Sequence, residues 1–598
     1  MLPVFAILWG CTTPSGPPSV PTGSTETTDT ASVASTETFD SSDTSDSAVT
    51  EAAPRIVVLM IGDGMGRVQQ DAASGYAYGA LDALAMQALP HHGTVRTASP
   101  SGITDSAAAA TAMATGAFTF NGQVGVDRDG VEAESLVELA RSLGLGTAIV
   151  TTADLTHATP AAFTAHALSR ELHEDIAAQQ AAAPADVMLG GGAVYFDGLD
   201  VPGLITYASE HMDYDLERTD QPSLTEMSIS ALDSLLESHP QGFFVMIEGA
   251  RIDMAGHAND LANSVGDTVA FDEAVGAVHA WLEPFDATLV VTADHETGGL
   301  AIHSEPAVGV MPDATWQWGL HTNADVDVYG SGPGTELLHE QVVDHRSVHA
   351  VLKAQLSDTD FVAPEPVLIP DGHLGDLAHH LSTQLHPTDF GEDHNELIEL
   401  RVDADDYGLQ VGIEGAFEWG RNTVVLLIDA DHGAGTGSAS MLGAVQDEEG
   451  YADGILGRLK LTEPADPGYG ADFAVVASGG LDVWLSAVND LAGLRGLDPL
   501  DDLPWLPSVL NYGDGSRDYD SPPVPGRGLE IALPWESLYG ATPTEATLAV
   551  VAVLVNDDGS YTSNQALPPF DLAEGAGEAP VALPGVAVIR FEAGSIQP

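Results

Sequence analysis

The sequence predicts two folded regions: an α/β region built on a doubly wound, mostly parallel sheet, and a C-terminal all-β sandwich. Three observations predict this. Short apolar runs alternate with Ala-rich amphipathic stretches through residues 54–360. A Pro-rich break, including Pro364-Glu365-Pro366 and Pro370, occupies residues 361–370. Beyond it, through residues 371–598, short apolar or alternating runs recur between Gly, Asp and Pro. Buried strands separated by helices imply crossovers over a parallel sheet, whereas many short, evenly spaced strands pack as a sandwich.

Residues 1–11 are a short apolar run ending in Leu8-Trp9-Gly10-Cys11, at the only cysteine of the chain. This end resembles the bacterial lipobox, so the segment is expected to be a lipoprotein-type signal remnant and Cys11 a lipidation site. Residues 12–53 are rich in Ser, Thr, Pro and Asp and hold no Lys or Arg. They cannot bury enough surface to offset ordering entropy, and a disordered tether is expected. Anchor and tether together predict an extracytoplasmic protein, periplasmic or at the cell surface, attached to the membrane by lipid. Within 54–360, Ile56–Ile61, Thr147–Thr152, Phe243–Glu248 and Thr288–Thr292 read as buried strands. Stretches 106–115, 134–143 and 160–172 read as helices. In the C-terminal region, 396–405, 407–418, 422–431, 471–479, 483–488, 528–535, 546–557 and 584–592 read as strands.

Composition removes several function classes. The 598 residues include 89 Asp+Glu against 18 Lys+Arg, a net charge of −71, which excludes nucleic-acid binding through a basic surface. One cysteine excludes an intrachain disulfide and any Cys-based zinc or iron–sulfur site. No apolar run reaches the roughly 18 residues of a membrane-spanning helix.

Chemistry-bearing residues fall at predicted strand ends. Ile56–Ile61 runs into Asp63, Phe243–Ile247 into Glu248, and Leu289–Thr292 into Asp294-His295. Ligands of open α/β sheets bind beyond the carboxyl ends of the strands. Three acids converging there repel one another unless cations lie among them. Asp253 and His257 stand i and i+4 on a predicted helix, a spacing that chelates one metal or is an ordinary surface pair. Asp294-His295 and the later His321 favour the metal reading. Asp105-Ser106 precede an Ala-rich run, the signature of a helix N-cap, and a serine there faces unpaired N–H groups that suit phosphate. Thr159 as N-cap and Pro160 as first helical residue are expected to open the helix 160–172. Arg170 would then lie about three turns along it, as a surface arginine or as a phosphate clamp.

Six motifs carry a family resemblance: Ile61-Gly62-Asp63-Gly64-Met65-Gly66, Thr104-Asp105-Ser106-Ala107-Ala108, Ala158-Thr159-Pro160-Ala161-Ala162, Glu248-Gly249-Ala250-Arg251-Ile252-Asp253, Thr292-Ala293-Asp294-His295-Glu296 and Gly319-Leu320-His321-Thr322. In this order they resemble the alkaline phosphatase family. The resemblance implies two zinc ions and one magnesium ion. Asp253, His257 and His321 would bind one zinc. Asp63, Asp294, His295 and Ser106 would bind the other. Thr159 and Glu248, with Asp63 shared and His157 beside them, would bind magnesium. It further implies Ser106 as the nucleophile, a phosphoserine intermediate, Arg170 as the phosphate clamp positioned by Asp105, small phosphomonoesters as substrates, and a homodimer as the candidate assembly. Some members have Asp where this chain has His157, and some have Lys where it has Met254.

The C-terminal region resembles, loosely, secreted sandwich modules of the DOMON and carbohydrate-binding type. Glycan or surface matrix is the ligand this implies. The acidic turn Asp429-Ala430-Asp431-His432-Gly433 is a candidate calcium site or a solvated loop. Trp419, Trp484, Trp505 and Trp535 pack a core or form a sugar platform. Two functional alternatives compete with the phosphomonoesterase: a phosphodiesterase or other superfamily hydrolase, and a surface adhesion protein with a vestigial phosphatase domain. Ser106 before its Ala run, together with His321, favours the monoesterase.

Overall fold

The computed structural model describes residues 53–384, 388, 396–416, 422–434, 461–462, 469, 471–478, 482–487, 508–510, 528–556, 562–569, 581–582, 585–592 and 594–597. Cys11 and residues 12–52 of the expected tether lie outside them, as do Trp419 and Trp505.

A nine-stranded sheet organises the first region. Its order is Val342–Asp344, His91–Arg96, Val326–Ser331, Thr288–Ala293, Arg55–Gly62, Gly242–Gly249, Gly146–Asp154, Val187–Gly191 and Leu204–Thr206. From Thr288–Ala293 to Leu204–Thr206 every neighbour is parallel. Val326–Ser331 runs antiparallel to both of its neighbours. Every residue of Gly242–Gly249 and of Gly146–Asp154 is buried. Successive side chains point to opposite faces, so both faces of the sheet are covered. The helices covering it fall into two groups. Ser106–Thr115, Leu136–Ser142, Ala158–Thr164 and His345–Ser357 pack together, and Arg67–Tyr78, Leu224–Ser238, Arg251–His257 and Leu261–Leu282 form the other layer. Ser135 with Glu138, and Ser223 with Glu226, close capping boxes at two helix starts.

Two antiparallel sheets make up most of the C-terminal region. One contains His379–Thr383, Glu396–Ala404, Gly408–Ala416, Gly528–Pro534 and Ser508–Leu510. The other contains Asp482–Ala487, Phe473–Ser478, Asn422–Asp429, Glu545–Asn556, Ala587–Glu592 and Ser595–Gln597, with Thr562–Leu567 also paired to Glu545–Asn556. All eight predicted strands are present, shifted by at most three residues at their ends. Leu409, Val411 and Ile413, and likewise Leu529, Ile531 and Leu533, turn inward at the two-residue period of a strand. They share one core with Val424, Leu426 and Ile428 of the facing sheet, which makes the region a sandwich. Trp535 is buried in that core, with its indole N–H bonded to the Asp405 carbonyl, so it is no sugar platform.

The first of these sheets does not end within the C-terminal region. Ser508 pairs in parallel with Gly102, whose strand Gly102–Ile103 pairs with Ala98–Ser99. This hairpin immediately precedes Thr104-Asp105-Ser106. Nearby, the buried Glu530 carboxylate accepts from the N–H groups of Asp371 and Gly372, and Arg96 pairs with Asp371 and Asp376. Residues Ala52–Pro598 cluster as one compact unit.

Candidate active site

Three neighbouring parallel strands end level with one another. Ile61 stands beside Glu248 and Thr292, and Gly62 beside Gly249 and Ala293. This register brings Asp63, Glu248 and Asp294 together, and all three are fully buried. Gly64 makes the approach feasible. Its φ of +70° suits glycine, and a Cβ there would lie 2.7 Å from the Cα of Asp253. The N–H groups of Gly64 and His295 both donate to Asp294 Oδ1 at 2.9 Å.

The predicted i, i+4 pair forms on the helix Arg251–His257. His257 Nε2 lies 3.3 Å from Asp253 Oδ2, and His321 Nε2 lies 3.6 Å from Asp253 Oδ1. The two Nε2 atoms are only 3.1 Å apart. Each ring is oriented from behind, His257 Nδ1 donating to the Gly319 carbonyl and His321 Nδ1 to that of Thr104. That arrangement turns both Nε2 lone pairs toward Asp253, as in a ligand set whose outer partners fix the tautomer. His295 stacks on His321 at 3.6 Å, and its Nε2 lies 3.3 Å from Asp294 Oδ2 and 3.8 Å from Asp63 Oδ1.

Ser106 is the first residue of its helix, with Asp105 as N-cap accepting from the Ala108 N–H. Ser106 Oγ is buried and lies 3.3 Å from His295 Nε2. The other Asp105 oxygen accepts from the Gly122 N–H and from Arg170 Nη1 at 3.1 Å. Arg170 Nη2 donates to His157 Nε2 at 3.0 Å, which occupies the lone pair of that imidazole nitrogen.

Two local expectations need correction. The helix spans Ala158–Thr164, not 160–172, and its cap residue is His157 rather than Thr159. Pro160 is tolerated because N–H groups in a first turn have no intrahelical partner. The chain becomes extended at Ala165, and Ala167 bridges to Val124. Arg170 therefore sits in a turn, where its own N–H donates to the Gly122 carbonyl. Thr159 lies inside the helix with its hydroxyl buried and unpartnered.

The electrostatics favour bound cations. Burial, and then the charges of Asp294, Asp253 and Glu248, push Asp63 well above the carboxylate range. Burial pushes Glu248 and Asp294 each up to about 7. Burial also acts to raise Asp253, but His257, His321 and His295 outweigh it and hold this carboxyl down. Both oxygens of Asp63, Oε1 of Glu248, Oδ2 of Asp294 and Oγ1 of Thr159 are buried without a hydrogen-bond partner. Such orphaned acceptors are rare in folded proteins unless an ion satisfies them. Ligand atoms of Asp253, His295 and His321 lie within 4.8 Å of one another, as do those of Asp63, Asp294 and His295, and those of Asp63, His157 and Glu248. The residues therefore fit metal ions, imidazole-rich on one side and mainly oxygen on the other. In the sandwich, Asp429 and Asp431 converge with Asp472 to the same tolerance.

Several supporting residues carried no assigned role in the sequence. Thr151 donates to Glu248, and Thr297 to Asp253. Glu296 accepts from Gln69, Thr322 and the Gly299 N–H, bracing the chain between His295 and His321. Asn121 accepts from the Asp105 N–H and donates to the Ile103 carbonyl. Glu296 and Thr322 fall inside two of the six motifs; Thr151, Thr297, Gln69 and Asn121 have no local signature.

Residues 54–200 and 198–351 match the family model described as alkaline phosphatase. Alkaline phosphatase 4 of Bacillus subtilis (strain 168) is 36% identical over 248 residues, covering 34% of this chain and 53% of the relative. Streptomycin-6-phosphate phosphatase of Streptomyces griseus is 34% identical over 331 residues, covering 41% of this chain and 74% of the relative. A TAB5 alkaline phosphatase mutant solved with Mg bound is 27% identical, with a TM-score of 0.46, over 52% of this chain and 99% of that one. The chain spans about half the length of several curated relatives it matches, 53%, 58% and 51%.

Proposed function

Because the chain belongs to the alkaline phosphatase family, we propose that it is a metal-dependent phosphomonoesterase working through a phosphoserine at Ser106. One observation carries the reading: the Ser106 hydroxyl opens a helix within 3.3 Å of His295, inside the cluster that fits cations. Ser106 Oγ forms a bond to phosphorus as the ester oxygen leaves in line. The serine proton ends, in the net reaction, on the departing alcohol. Water then cleaves the serine–phosphate bond, returning the hydroxyl and releasing inorganic phosphate.

The chain's own groups orient this displacement. The N-terminal N–H groups of the helix Ser106–Thr115 offer partial positive charge to phosphate oxygens. Arg170, held by Asp105 and His157, presents a guanidinium whose orientation is set before substrate arrives. Two zinc ions, held by Asp253, His257 and His321 and by Asp63, Asp294, His295 and Ser106, with magnesium at Asp63, Thr159 and Glu248, would supply positive charge that favours the serine alkoxide and the leaving oxygen. This matters in a chain of net charge −71, which otherwise repels phosphate.

The test compares turnover of para-nitrophenyl phosphate with that of the bis-aryl diester, before and after chelation. Monoester turnover that chelation abolishes supports the reading. A preference for the diester, or no turnover by metal-loaded protein, would refute it. We propose also that Cys11 anchors the protein to an extracytoplasmic membrane face; the lipobox-like run and the polar tether support this. Radiolabelled palmitate should label the chain and not its Cys11→Ala variant.

A further inference from the structure

The turn from Phe120 to Gln123 joins segments that meet beside Ser106. The Gln123 N–H donates to the Phe120 carbonyl, with Asn121 and Gly122 between them. Gly122 takes a φ of +84°, at the third position of a turn type that favours glycine there. Asn121 is exposed, yet four hydrogen bonds hold it to the hairpin Ala98–Ser99 and Gly102–Ile103 and to the residues inside and after it. Its Oδ1 accepts from Ser99 Oγ at 2.7 Å and from the Asp105 N–H at 3.3 Å. Its Nδ2 donates to the Ile103 carbonyl at 2.8 Å, and its own N–H donates to Ser101 Oγ at 3.0 Å. These partners fix the amide. Turned over, it would set an NH₂ group against the Asp105 N–H and an oxygen against the Ile103 carbonyl.

The hairpin is a firm support. Gly102 pairs with Ser508 of the sandwich sheet, and the Thr104 carbonyl accepts from His321 Nδ1. On the other side of the turn lies Arg170. The Gly122 N–H donates to Asp105 Oδ2 at 3.0 Å, the same oxygen that accepts from Arg170 Nη1 at 3.1 Å. The Gly122 carbonyl accepts from the Arg170 N–H at 2.6 Å. The backbone and the guanidinium of Arg170 are thus both referred to Gly122, and Gly122 is placed by its neighbour Asn121. The bonds of Asn121 reach neither Ser106 nor Arg170, so its influence on phosphate passes through Gly122 and Asp105.

We propose that Asn121 is a positioning residue for phosphate binding, setting Arg170 through Gly122 and Asp105. The proposal rests on the reading of Arg170 as the phosphate clamp. Without the Asn121 amide, Arg170 keeps its own partners but loses the link that ties them to the hairpin. Its orientation must then be fixed as phosphate binds, at the expense of affinity.

Steady-state kinetics of the metal-loaded full chain test this, with para-nitrophenyl phosphate as substrate and inorganic phosphate as competitive inhibitor. Asn121→Ala should raise the phosphate Ki and the KM about tenfold, the scale of one hydrogen bond to a charged group. The kcat should change by less than about threefold, the pattern of lost ground-state binding. KM and Ki do not depend on the fraction of active protein, so misfolding cannot mimic this result. Ser99→Ala removes only a hydroxyl that holds the amide oxygen, and should raise Ki about twofold to threefold; it decides alone where Asn121→Ala does not fold. In an Arg170→Ala background, Asn121→Ala should raise Ki by less than about twofold, because the group it positions is gone. The proposal is overturned if Ki is unmoved, if kcat falls while KM and Ki hold, or if the Asn121 and Arg170 effects multiply in full. Parent protein that turns over no monoester would overturn the phosphatase reading as well, whereas normal parent turnover with an unmoved Ki overturns this proposal alone.

Discussion

Gly64→Ala should loosen the candidate metal cluster without replacing any of its residues. A Cβ at Gly64 would lie 2.7 Å from the Cα of Asp253, 0.7 Å inside the 3.4 Å where ordinary contact begins. The obstacle is backbone, so a flexible side chain cannot simply swing away. The φ of +70° adds strain of about 1–2 kcal/mol for a residue with a Cβ. Forcing the backbones apart adds about 1–3 kcal/mol, the usual range for overpacking. The total, about 2–5 kcal/mol, corresponds to a Tm loss of about 4–10 °C at roughly 2 °C per kcal/mol. Gly144→Ala is the control. Its φ is +72° with nothing within 4 Å of the added carbon, so only the conformational strain applies, about 2–4 °C. Metal–ligand distances are held to about 0.2 Å, so displacing Asp253 by several tenths of an ångström should release metal. Differential scanning fluorimetry gives Tm, and plasma mass spectrometry after dialysis gives bound metal per chain. Equal Tm losses in the two variants, with full metal content in both, would refute the geometric argument.

Other outcomes follow from the same structure. Ser106→Ala should leave no acid-stable phosphoenzyme after incubation with labelled monoester, and kcat should fall by about a thousandfold or more. Near-normal turnover would exclude Ser106 as nucleophile. Glu138 is held down to about 2, first by the hydrogen bond with His166 and then by the Ser135 N–H, with burial opposing. A depressed carboxyl adds stability above its ordinary value of 4.5 and loses it as pH falls toward about 2. The same contact raises His166 above its ordinary value of 6.5, so the histidine contribution is present below that value and fades as pH rises through the raised one. The urea midpoint difference between the parent and Glu138→Gln should peak between about pH 5 and 6 and narrow on both sides; a difference constant with pH would disprove the pairing. Net charge is −71, and 43 acids against 10 bases fall within residues 54–364. Moderate salt should therefore raise Tm by screening self-repulsion, and a flat or falling response would contradict that account.

Much of the site was legible because its parts are local. Asp63, Glu248 and Asp294 follow apolar runs that can only be buried strands. Asp105 before Ser106 and the Ala run states a helix start in a few residues. Asp253 and His257 need only helical spacing. Arg170 was legible as a residue but not as a position: continuing the apolar pattern to 172 placed it on a helix that ends at Thr164. What ends that helix is the bridge from Ala167 to Val124, a contact across more than forty residues that leaves no periodic mark. Thr151, Thr297 and Asn121 escaped notice for the same reason, since each acts through hydrogen bonds to residues distant in sequence or across a turn.

The sequence by itself determined four adjoining strands of the nine-stranded sheet, the eight sandwich strands, the helix that presents Ser106, and the kinds of side chain at the strand ends. Periodicity, capping and strand termination are written in consecutive residues. Only the tertiary structure decided that His321 meets Asp253 and His257, that Arg170 is clamped between Asp105 and His157, and that Ser508 continues a sandwich sheet to Gly102 beside Ser106. Those pairings are made by single backbone or side-chain contacts between residues far apart in the chain. Their geometry is set by how the layers pack, and no local pattern encodes it.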